Sequence, residues 1–488
     1  MVGITAYGGY VPRRRLPRSV ILENTSWFNG ALKVYGKGER SMCNWDEDAL
    51  TMAVEACRDC LDKSRPDDIK AIYLASTTLP FTDRQNSGVM GTALNLGQNM
   101  MTMDITSSQR AATSGLINAL SVVQGTGGSA LFATGEHRRS KTANTNELMY
   151  GDGGAALLLG NDDVVAEYVG AGQIAVDFVD HYRGQNADFD YNWEERWIRD
   201  EGFMKIVPQA VQAALDNTGL SAGDIDHFVM PGTIRNIASM VGKACGMSVE
   251  AARDNLHNVM GEAGTSHALV MLVDCLQDAK PGQTIMVIGW GQGCDALVFK
   301  TTDLLPTMAN RQGIKGHLAH RKEETNYNKF LAFNGLVQQD GGLRSETDKQ
   351  TALTTLYRNR EMVIGFVGGK CSQCGTVQYP KSRICVNPNC GALNTQENHR
   401  MAETSATIQS WTADNLTYAP DPPHHFGMVT FGEGGRMMAD FTDVDEGGVA
   451  VGDEFRMVFR IKTADDKRNF NKYFWKAAPK IQAQTSEA

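Results

Sequence analysis

The chain has 488 residues, of which 42% are hydrophobic and 21% are charged, and its formal net charge is −9. A chain this long exceeds what one hydrophobic core usually supports, so several domains are expected. The acidic balance argues against a nucleic-acid partner, and no apolar run is long enough to predict a membrane span.

The compartment is predicted from the N-terminus and the cysteines. MVGITAYGGYVPRRRL lacks the apolar core of a signal peptide. Six of the ten cysteines show no disulfide-framework spacing. We therefore expect a reducing, cytoplasmic location.

The first part of the chain alternates between helical and strand-like hydrophobic patterns. In chain order, the predicted elements are a helix at 48–63, a strand at 69–78, a strand at 101–107, a helix at 111–125 and a strand at 129–136. The glycine-rich turn GDGGAALLLG at 151–160 then leads into another apolar strand.

A second series of elements has the same order. Its members are a helix at 204–219, a strand at 225–233, a helix at 234–246, a helix at 265–279 and a strand at 283–290. It ends on GWGQGCDALVFK at 289–300, which is similar to the turn at 151–160. We therefore expect an internally duplicated, layered α/β fold with halves at 1–165 and 166–304.

Residues 305–360 are polar and charged, as in GHLAHRKEETNYNK and QQDGGLRSETDKQT. This composition predicts a linker with short helices. A surface extension of the preceding domain fits it equally well.

Four cysteines follow in two close pairs, Cys371-x2-Cys374 and Cys385-x4-Cys390, with ten residues between the pairs. Gly and Pro residues flank each pair and allow the chain to turn back. Four converging thiolates suit a structural Zn²⁺ and leave no open coordination position for catalysis. The spacing predicts a zinc ribbon over 361–400.

Residues 401–480 alternate with period two, as in ATIQSWTA and EFRMVFRIK, around turns rich in Gly, Asp and Pro. Short strands in this pattern predict a small all-β barrel of the OB-fold type.

Four motifs within residues 1–303 resemble the thiolase superfamily: GERSMCNWDEDALTMAVEAC, MDITSSQRAATSGLINAL, YGDGGAALLLG and VIGWGQG. The resemblance is closest to 3-hydroxy-3-methylglutaryl-CoA synthase and ketoacyl synthase III-type enzymes. The ribbon and barrel resemble the zinc-ribbon/OB partners of thiolase-like acyltransferases and aldolases. The resemblance implies a duplicated thiolase-like fold, coenzyme A as substrate or cosubstrate, and a homodimer paired across the strand that matches MTMDITS.

The chain departs from this family at the catalytic positions. The nucleophilic cysteine at the helix start is matched by Gln109, beside Ser108. The catalytic histidine is matched by Pro231, and the catalytic asparagine of ketoacyl synthases by Glu262. The segment STTLPF at 76–81 has no acid where the hydroxymethylglutaryl-CoA synthase has its glutamate.

Two interpretations follow from these replacements. One is a scaffold that has lost activity, and the other is acid–base chemistry without a covalent intermediate. In the second, Glu262 is the base and Gln109 donates its amide N–H to an enolate oxygen. Further candidates are Ser108, His267 and Cys294. Structural roles stay open for the same residues. Gln109 can simply fill the vacated site, and Glu262 can be a carboxylate at a helix N-terminus. His267 and Cys294 can be packed interior residues.

Arg235 and Lys243 lie on the predicted helix that, in related enzymes, helps to hold the phosphates of coenzyme A, although a solvated helix face explains them as well. The expected substrate is an acyl-CoA or a β-keto acid. The first expectation is Claisen-type acyl transfer, or the reverse cleavage of a β-keto acid or thioester. The alternatives are a thiolase-fold retro-aldol lyase acting on an acyl-CoA and a non-catalytic scaffold subunit.

Overall fold

The computed structural model describes residues 1–62, 69–308, 310–350, 352–445 and 447–481. It divides into two compact units. The first comprises Met1–Asn44, Asp48–Gly88 and Gln98–Leu336, and the second Trp45–Glu47, Val89–Gly97 and the chain from Val337 onward. Lys63 of the predicted helix, Ala309 and Thr351 of the predicted linker, and Glu446 of the predicted barrel lie outside the described residues. The domain boundaries predicted above stay predictions.

The strands before residue 330 are β1 (Gly3–Tyr10), β2 (Arg14–Pro17), β3 (Glu39–Met42), β4 (Ile69–Ala75), β5 (Met101–Ile105), β6 (Ser129–Glu136), β7 (Gly153–Gly160), β8 (Ala166–Ala175), β9 (His181–Tyr182), β10 (Tyr191–Asn192), β11 (His227–Val229), β12 (Thr284–Trp290), β13 (Gly293–Thr301) and β14 (Lys322–Glu323). The later strands are β15 (Val367–Cys371), β16 (Val377–Gln378), β17 (Gln396–Arg400), β18 (Ala406–Asp414), β19 (His424–Phe431), β20 (Arg436–Asp440), β21 (Glu454–Asp465) and β22 (Phe470–Pro479).

The α-helices are α1 (Arg18–Thr25), α2 (Ala49–Leu61), α3 (Asn86–Ala93), α4 (Ala111–Thr126), α5 (Thr145–Met149), α6 (Glu195–Trp197), α7 (Met204–Thr218), α8 (Ile237–Ala244), α9 (His267–Asp278), α10 (Gly313–Ala319), α11 (Tyr327–Phe333), α12 (Leu353–Arg358) and α13 (Arg360–Val363). A π-helical turn covers Ile198–Phe203, and 3₁₀ turns cover Gly30–Tyr35, Ala222–Asp224, Val249–Ala251, Gly264–Ser266, Leu305–Met308 and Leu343–Ser345. None of the described helices is both long and apolar enough to span a bilayer.

The first unit is built on one nine-stranded sheet with the order β11-β12-β13-β8-β1-β7-β6-β4-β5. Within it, β4-β6-β7-β1 and β11-β12-β13-β8 have the same pattern: the first two strands of each set are parallel and the other neighbours antiparallel. The two sets join where β1 pairs antiparallel with β8. The predicted duplication is therefore present in the strand order itself.

The two sets are also covered in equivalent ways. Helix α2 packs on β1 and β7, and α7 packs on β8 and β13. Helices α4 and α9 contribute to one shared core cluster, in which Leu116 and Leu120 lie with Leu269 and Leu272. Burying these apolar residues is the main stabilising contribution to such a layered fold.

The predicted helices and strands of this unit are present, with shifted ends. The largest difference is the strand expected at 225–233, which the structure limits to His227–Val229. Pro231 has no N–H to donate to a sheet ladder, so the chain leaves the sheet before it. Residues 231–234 after the strand form part of a cavity wall.

The polar segment after residue 305 contributes to the first unit as far as Leu336. Strand β14 pairs parallel with β2, and Tyr327 and Phe330 are buried in a cluster with Leu16 and Met42. The described part of this segment up to Leu336 therefore packs against the first unit through a strand pairing and a buried apolar cluster.

The second unit contains two small sheets. The first has the order β16-β15-β17 and includes Cys371, and the second has the order β20-β19-β18-β21-β22. The Thr442 N–H donates to Ala477 O at 2.9 Å, and this bond links the end of β20 to β22. Such a link closes a five-stranded sheet into a barrel.

Candidate active site

A cavity of about 320 Å³ lies within the first unit. Its wall includes Gln109 before α4, Pro231 after β11, Glu262 before α9 and Trp290 at the end of β12. These four residues come from both halves of the duplicated fold. Among the described residues that line the cavity, none is a cysteine.

Gln109 reaches the cavity from the tight turn that begins α4. Ser107 in this turn has a φ of +79°, a conformation that is unusual for a residue other than glycine. The Ser108 hydroxyl donates to Gly291 O at 3.1 Å and accepts the Arg110 N–H at 3.1 Å. Ser108 thus holds the turn, whereas Gln109 lines the cavity.

A buried carboxylate on β13 anchors the same turn. Asp295 is fully buried and accepts from Arg110 Nη1 at 3.0 Å, Thr113 Oγ1 at 2.9 Å and Ser114 Oγ at 2.6 Å. All three donors lie at the start of α4. Because a buried charge is costly unless it is paired, this set of bonds ties the position of Gln109 to the second half of the fold.

The backbone of Glu262 is pinned on both sides. Its N–H donates to Met149 O at 2.7 Å, and its carbonyl accepts the Gly151 N–H at 3.0 Å. Gly261 before it has a φ of +82°, and a Cβ there would lie 2.7 Å from Tyr150 O. Only glycine fits this approach without strain, so the direction of the Glu262 side chain is set by its backbone.

The Glu262 carboxylate is bonded to His257, which lies five residues earlier in the chain. His257 Nε2 lies 2.7 Å from Glu262 Oε2. Asn255 Oδ1 accepts the His257 backbone N–H at 3.2 Å, which turns the Asn255 amide Nδ2 toward His257 Nδ1 at 3.1 Å. Because Nδ1 accepts this bond, the ring proton lies on Nε2 and is donated to Glu262.

His267 is held by backbone groups. Its Nδ1 accepts the Ala263 N–H at 3.1 Å, so its Nε2–H donates to Asn255 O at 2.8 Å. The same Nε2 is 3.6 Å from Glu262 Oε2. Both ring nitrogens of His267 are thus hydrogen-bonded, so neither is free to bind a metal ion. The compact group of His257, Glu262 and His267 is therefore a hydrogen-bonded network.

Burial dominates the protonation of this network. It raises the pKa of Glu262, although the nearby His267 and Arg138 act in the opposite direction. Burial, with a contribution from Arg18, lowers the pKa of His257 to about 3. Burial also lowers the pKa of His267. The arrangement is therefore a carboxyl group of raised pKa beside two neutral imidazoles, which suits a group that takes up and releases a proton.

A second charged network lies beside Glu262. Arg138 donates to Glu136 Oε1 at 3.0 Å and contacts Asp190 at 2.5 Å, and the Tyr150 hydroxyl donates to Asp190 at 2.8 Å. Arg138 and Glu136 are almost fully buried. Glu136 accepts bonds from Ser76 and from Thr77, within the segment that carries no acid of its own. An acid from the neighbouring strand β6 therefore faces that segment.

The other predicted residues lie outside the cavity wall. Cys294 is fully buried in a core cluster, and burial raises the pKa of its thiol well above the usual value. Arg235 and Lys243 are exposed on and beside α8. Within the part of the chain that the structure describes, neither of these two cations forms an ion pair.

Sequence reasoning missed His257, Asp295 and Trp290. The signal for His257 was its position in NLHNVMGEAG, five residues before a candidate acid. Asp295 follows the candidate Cys294 directly, and it is the Asp295 side chain that contacts the start of α4. Trp290 ends an apolar strand, and a hydrophobic pattern alone does not distinguish a cavity residue from a core residue at that position.

The four ribbon cysteines converge in the second unit. Cys371 Sγ lies 3.9 Å from Cys390 Sγ, and Cys374 Sγ lies 3.5 Å from Cys385 Sγ. All four sulfurs lie within 4.8 Å of one another. A zinc ion with Zn–S bonds of about 2.3 Å places its tetrahedral ligands about 3.8 Å apart, so this donor set fits the metal.

Two family models match the C-terminal part of the chain. Residues 363–396 match the family model of the ChsH2 rubredoxin-like zinc ribbon domain, and residues 400–460 match that of the ChsH2 C-terminal OB-fold domain. The C-terminal part therefore consists of a zinc ribbon followed by an OB-fold, as predicted.

The larger part of the chain has a thiolase-like α/β fold. Several proteins similar to it are hydroxymethylglutaryl-CoA synthases. The one from Caldivirga maquilingensis is 25% identical over 350 residues, which cover 70% of this chain and 99% of the relative. The one from Aeropyrum pernix is 25% identical over 340 residues, with 68% and 94% covered. Among solved structures, MvaS in complex with 3-hydroxy-3-methylglutaryl coenzyme A has a TM-score of 0.60 at 16% identity, with 68% of this chain and 91% of that chain covered.

Proposed function

We propose that this protein makes or breaks a carbon–carbon bond in a coenzyme A thioester without forming an acyl-enzyme. The proposal rests on one observation: Gln109 and the His257-bonded Glu262 line the same cavity. The similarity to hydroxymethylglutaryl-CoA synthases supports acyl-CoA condensation as the class of reaction. The described cavity wall has no thiol, so a base must act directly on the substrates.

In the condensing direction, Glu262 removes a proton from the α-carbon of an acyl-CoA. The resulting enolate attacks the thioester carbonyl of a second substrate, and Gln109 donates its amide N–H to the oxygen that gains charge. The new carbon–carbon bond forms as the C–S bond breaks. Coenzyme A leaves as its thiolate and takes the proton from Glu262. The reverse sequence cleaves a β-keto thioester with coenzyme A as the nucleophile.

His257 supports this chemistry from behind Glu262. Its Nε2–H bond stabilises the carboxylate in the state that accepts a proton, and the low pKa of His257 keeps the imidazole neutral. A neutral partner lowers the pKa of Glu262 less than a cation would, so burial still sets its direction. His257 therefore positions the Glu262 carboxylate by a hydrogen bond and does not form an ion pair with it.

A second candidate is a retro-aldol lyase, which the lack of a thiol in the described cavity wall also favours. Here Glu262 takes the proton of a β-hydroxyl group, the carbon–carbon bond breaks to release an aldehyde or ketone, and the enolate of the acyl-CoA takes the proton back. No acyl acceptor is needed. A third possibility is a scaffold that binds intermediates without turning them over.

The remaining parts of the proposal concern binding and assembly. Arg235 and Lys243 are proposed to bind the phosphates of coenzyme A, since both are exposed and carry positive charge. The cysteines Cys371, Cys374, Cys385 and Cys390 are proposed to hold a structural zinc ion. We propose a homodimer paired along the edge strand β5, where Met101 and Met103 are exposed, and a cytoplasmic location.

The test is turnover of a panel of β-keto and β-hydroxy acyl-CoAs. Product formation that requires free coenzyme A supports retro-Claisen cleavage, and release of a carbonyl compound without it supports the lyase. Mass spectrometry after incubation with acyl-CoA is expected to show an unmodified chain. An acyl adduct on Ser108 or Cys294 would contradict the non-covalent mechanism. Tight binding of coenzyme A thioesters with no turnover would favour the scaffold.

A further inference from the structure

The cavity wall has a connected apolar part. Trp290, Phe203 and Ile234 line the cavity and belong to one core cluster, against which Ile198, also in the wall, packs. Glu262 and Gln109 line the same cavity. A thioester that places its reacting carbons at Glu262 therefore shares the cavity with an apolar, largely aromatic surface.

Trp290 is held in a single orientation. Its indole N–H donates to Asp180 Oδ2 at 2.9 Å. The ring of Phe203 lies 4.7 Å from the Trp290 ring between centroids, and the Phe178 ring lies 5.8 Å away at an edge-on angle of 64°. Trp290 is only 6% exposed. A ring fixed by a hydrogen bond and two aromatic neighbours is a rigid surface that does not rearrange around each ligand.

The backbone opposite Trp290 is adapted to this packing. The π-helical turn Ile198–Phe203 places both of its end residues on the cavity wall. A Cβ at Gly202 would lie 2.9 Å from Phe178 and 3.1 Å from Trp290. The turn is thus compatible with the aromatic cluster only because residue 202 has no side chain. Short π-helical turns of this kind often occur at functional sites.

The size of the cavity limits what it holds. An apolar cavity of about 150 Å³ is enough to bind benzene, and this cavity has about 320 Å³. One aromatic ring together with a thioester and its neighbouring carbons fits that space. A rigid aromatic wall selects flat rings, since offset and edge-on arrangements of aromatic groups are favourable, whereas a flexible wall would be better suited to linear chains.

We propose that the acyl group of the substrate carries an aromatic ring, which binds against Trp290 and Phe203. This inference rests on the proposed function, because it assumes that the cavity receives a coenzyme A thioester. It goes further by assigning the substrate class: an aryl-substituted acyl-CoA is preferred to acetyl-CoA and to straight-chain acyl-CoAs.

The test is isothermal titration of the full chain with four probes: coenzyme A, acetyl-CoA, octanoyl-CoA and benzoyl-CoA. We expect benzoyl-CoA to bind at least about tenfold more tightly than acetyl-CoA, because a buried ring adds apolar contact. Octanoyl-CoA is expected to bind more weakly than benzoyl-CoA. Trp290→Ala should remove most of the benzoyl preference and leave the affinity for coenzyme A unchanged.

Two further variants keep the test interpretable. Phe203→Leu keeps an apolar side chain but removes the ring, and it should weaken the binding of benzoyl-CoA selectively even if Trp290→Ala fails to fold. Trp411→Ala makes the same change at a partly exposed tryptophan of the second unit and should have no effect. Equal affinity for acetyl-CoA and benzoyl-CoA, or tighter binding of octanoyl-CoA, would overturn the aryl assignment alone. Failure of coenzyme A and all of its thioesters to bind would overturn both this inference and the proposed function.

Discussion

Glu262 Oε2 lies 2.7 Å from His257 Nε2, and the proton of this bond belongs to the histidine because Asn255 occupies the other ring nitrogen. The bond places a neutral donor on a buried carboxylate. It gives the cavity a base whose pKa is raised by burial, with His267 and Arg138 acting in the opposite direction.

Glu262→Gln should abolish most activity without weakening the fold. Loss of a general base typically costs about 10²-fold or more in rate, so kcat should fall at least that far on any substrate found by the panel. Glu250→Gln, an exposed residue on a nearby 3₁₀ turn, is the matched control and should retain full activity. Unchanged kcat in Glu262→Gln would remove Glu262 from the mechanism.

The same substitution should raise the thermal stability at neutral pH. A group whose pKa is raised by folding stabilises the protein fully below its unfolded pKa, and that contribution is lost as pH rises through the folded value. Glutamine carries no charge, so it avoids this loss. The Tm of Glu262→Gln should equal or exceed that of the wild type at pH 7, and the difference should shrink toward pH 4. Calorimetry at pH 7 and at pH 4 measures the difference in Tm between Glu262→Gln and the wild type. A difference that is less favourable to the variant at pH 7 than at pH 4 would contradict the raised pKa of Glu262.

His257 should make the first unit sensitive to acid. Its pKa is lowered to about 3 by burial, so its contribution to stability is present above the unfolded value near 6.5 and is lost as pH falls toward 3. The slope from one such group is at most about 1.4 kcal/mol per pH unit. His257→Gln should flatten the fall in Tm between pH 6.5 and 4. His227→Gln, a partly exposed histidine on β11, serves as the control and should leave the slope unchanged.

Asp295→Asn should disturb the turn that presents Gln109. The change removes the charge that pairs with Arg110 and leaves that cation partly buried. Breaking such a pair typically costs about 3–5 kcal/mol, so the first unit should unfold at a clearly lower temperature. Asp303→Asn, at an exposed position beyond β13, should have little effect. Wild-type stability in Asp295→Asn would show that the turn is held by other contacts.

Cys371→Ser should remove the metal from the second unit. We expect about one zinc ion per chain in the wild type, as a four-thiolate site requires, and much less in the variant. Cys245→Ser changes a cysteine outside the ribbon and should keep the zinc. Metal analysis of the purified chains decides this, and an equal zinc content in both variants would contradict the assigned ligands.

The larger features of this protein are local in sequence, and for that reason they were predictable. The ribbon depends on two short cysteine spacings, and the duplication depends on helices and strands whose apolar periods repeat in the same order. Gln109 and Glu262 became candidates because they occupy positions where the resembling family has its catalytic groups.

The site itself required the tertiary structure. His257 meets Glu262 because Leu256 and Gly261 both adopt positive φ values, 58° and 82°, and no hydrophobic period signals such a turn. Asp295 contacts the start of α4 only because the folded sheet places β13 beside that helix. Trp290 contacts Phe203 only because a π-helical turn brings Phe203 to the end of β12. The sequence by itself determined which elements form. The tertiary structure decided which side chains share a cavity, because hydrogen-bond distance and burial depend on contacts between segments far apart in the chain.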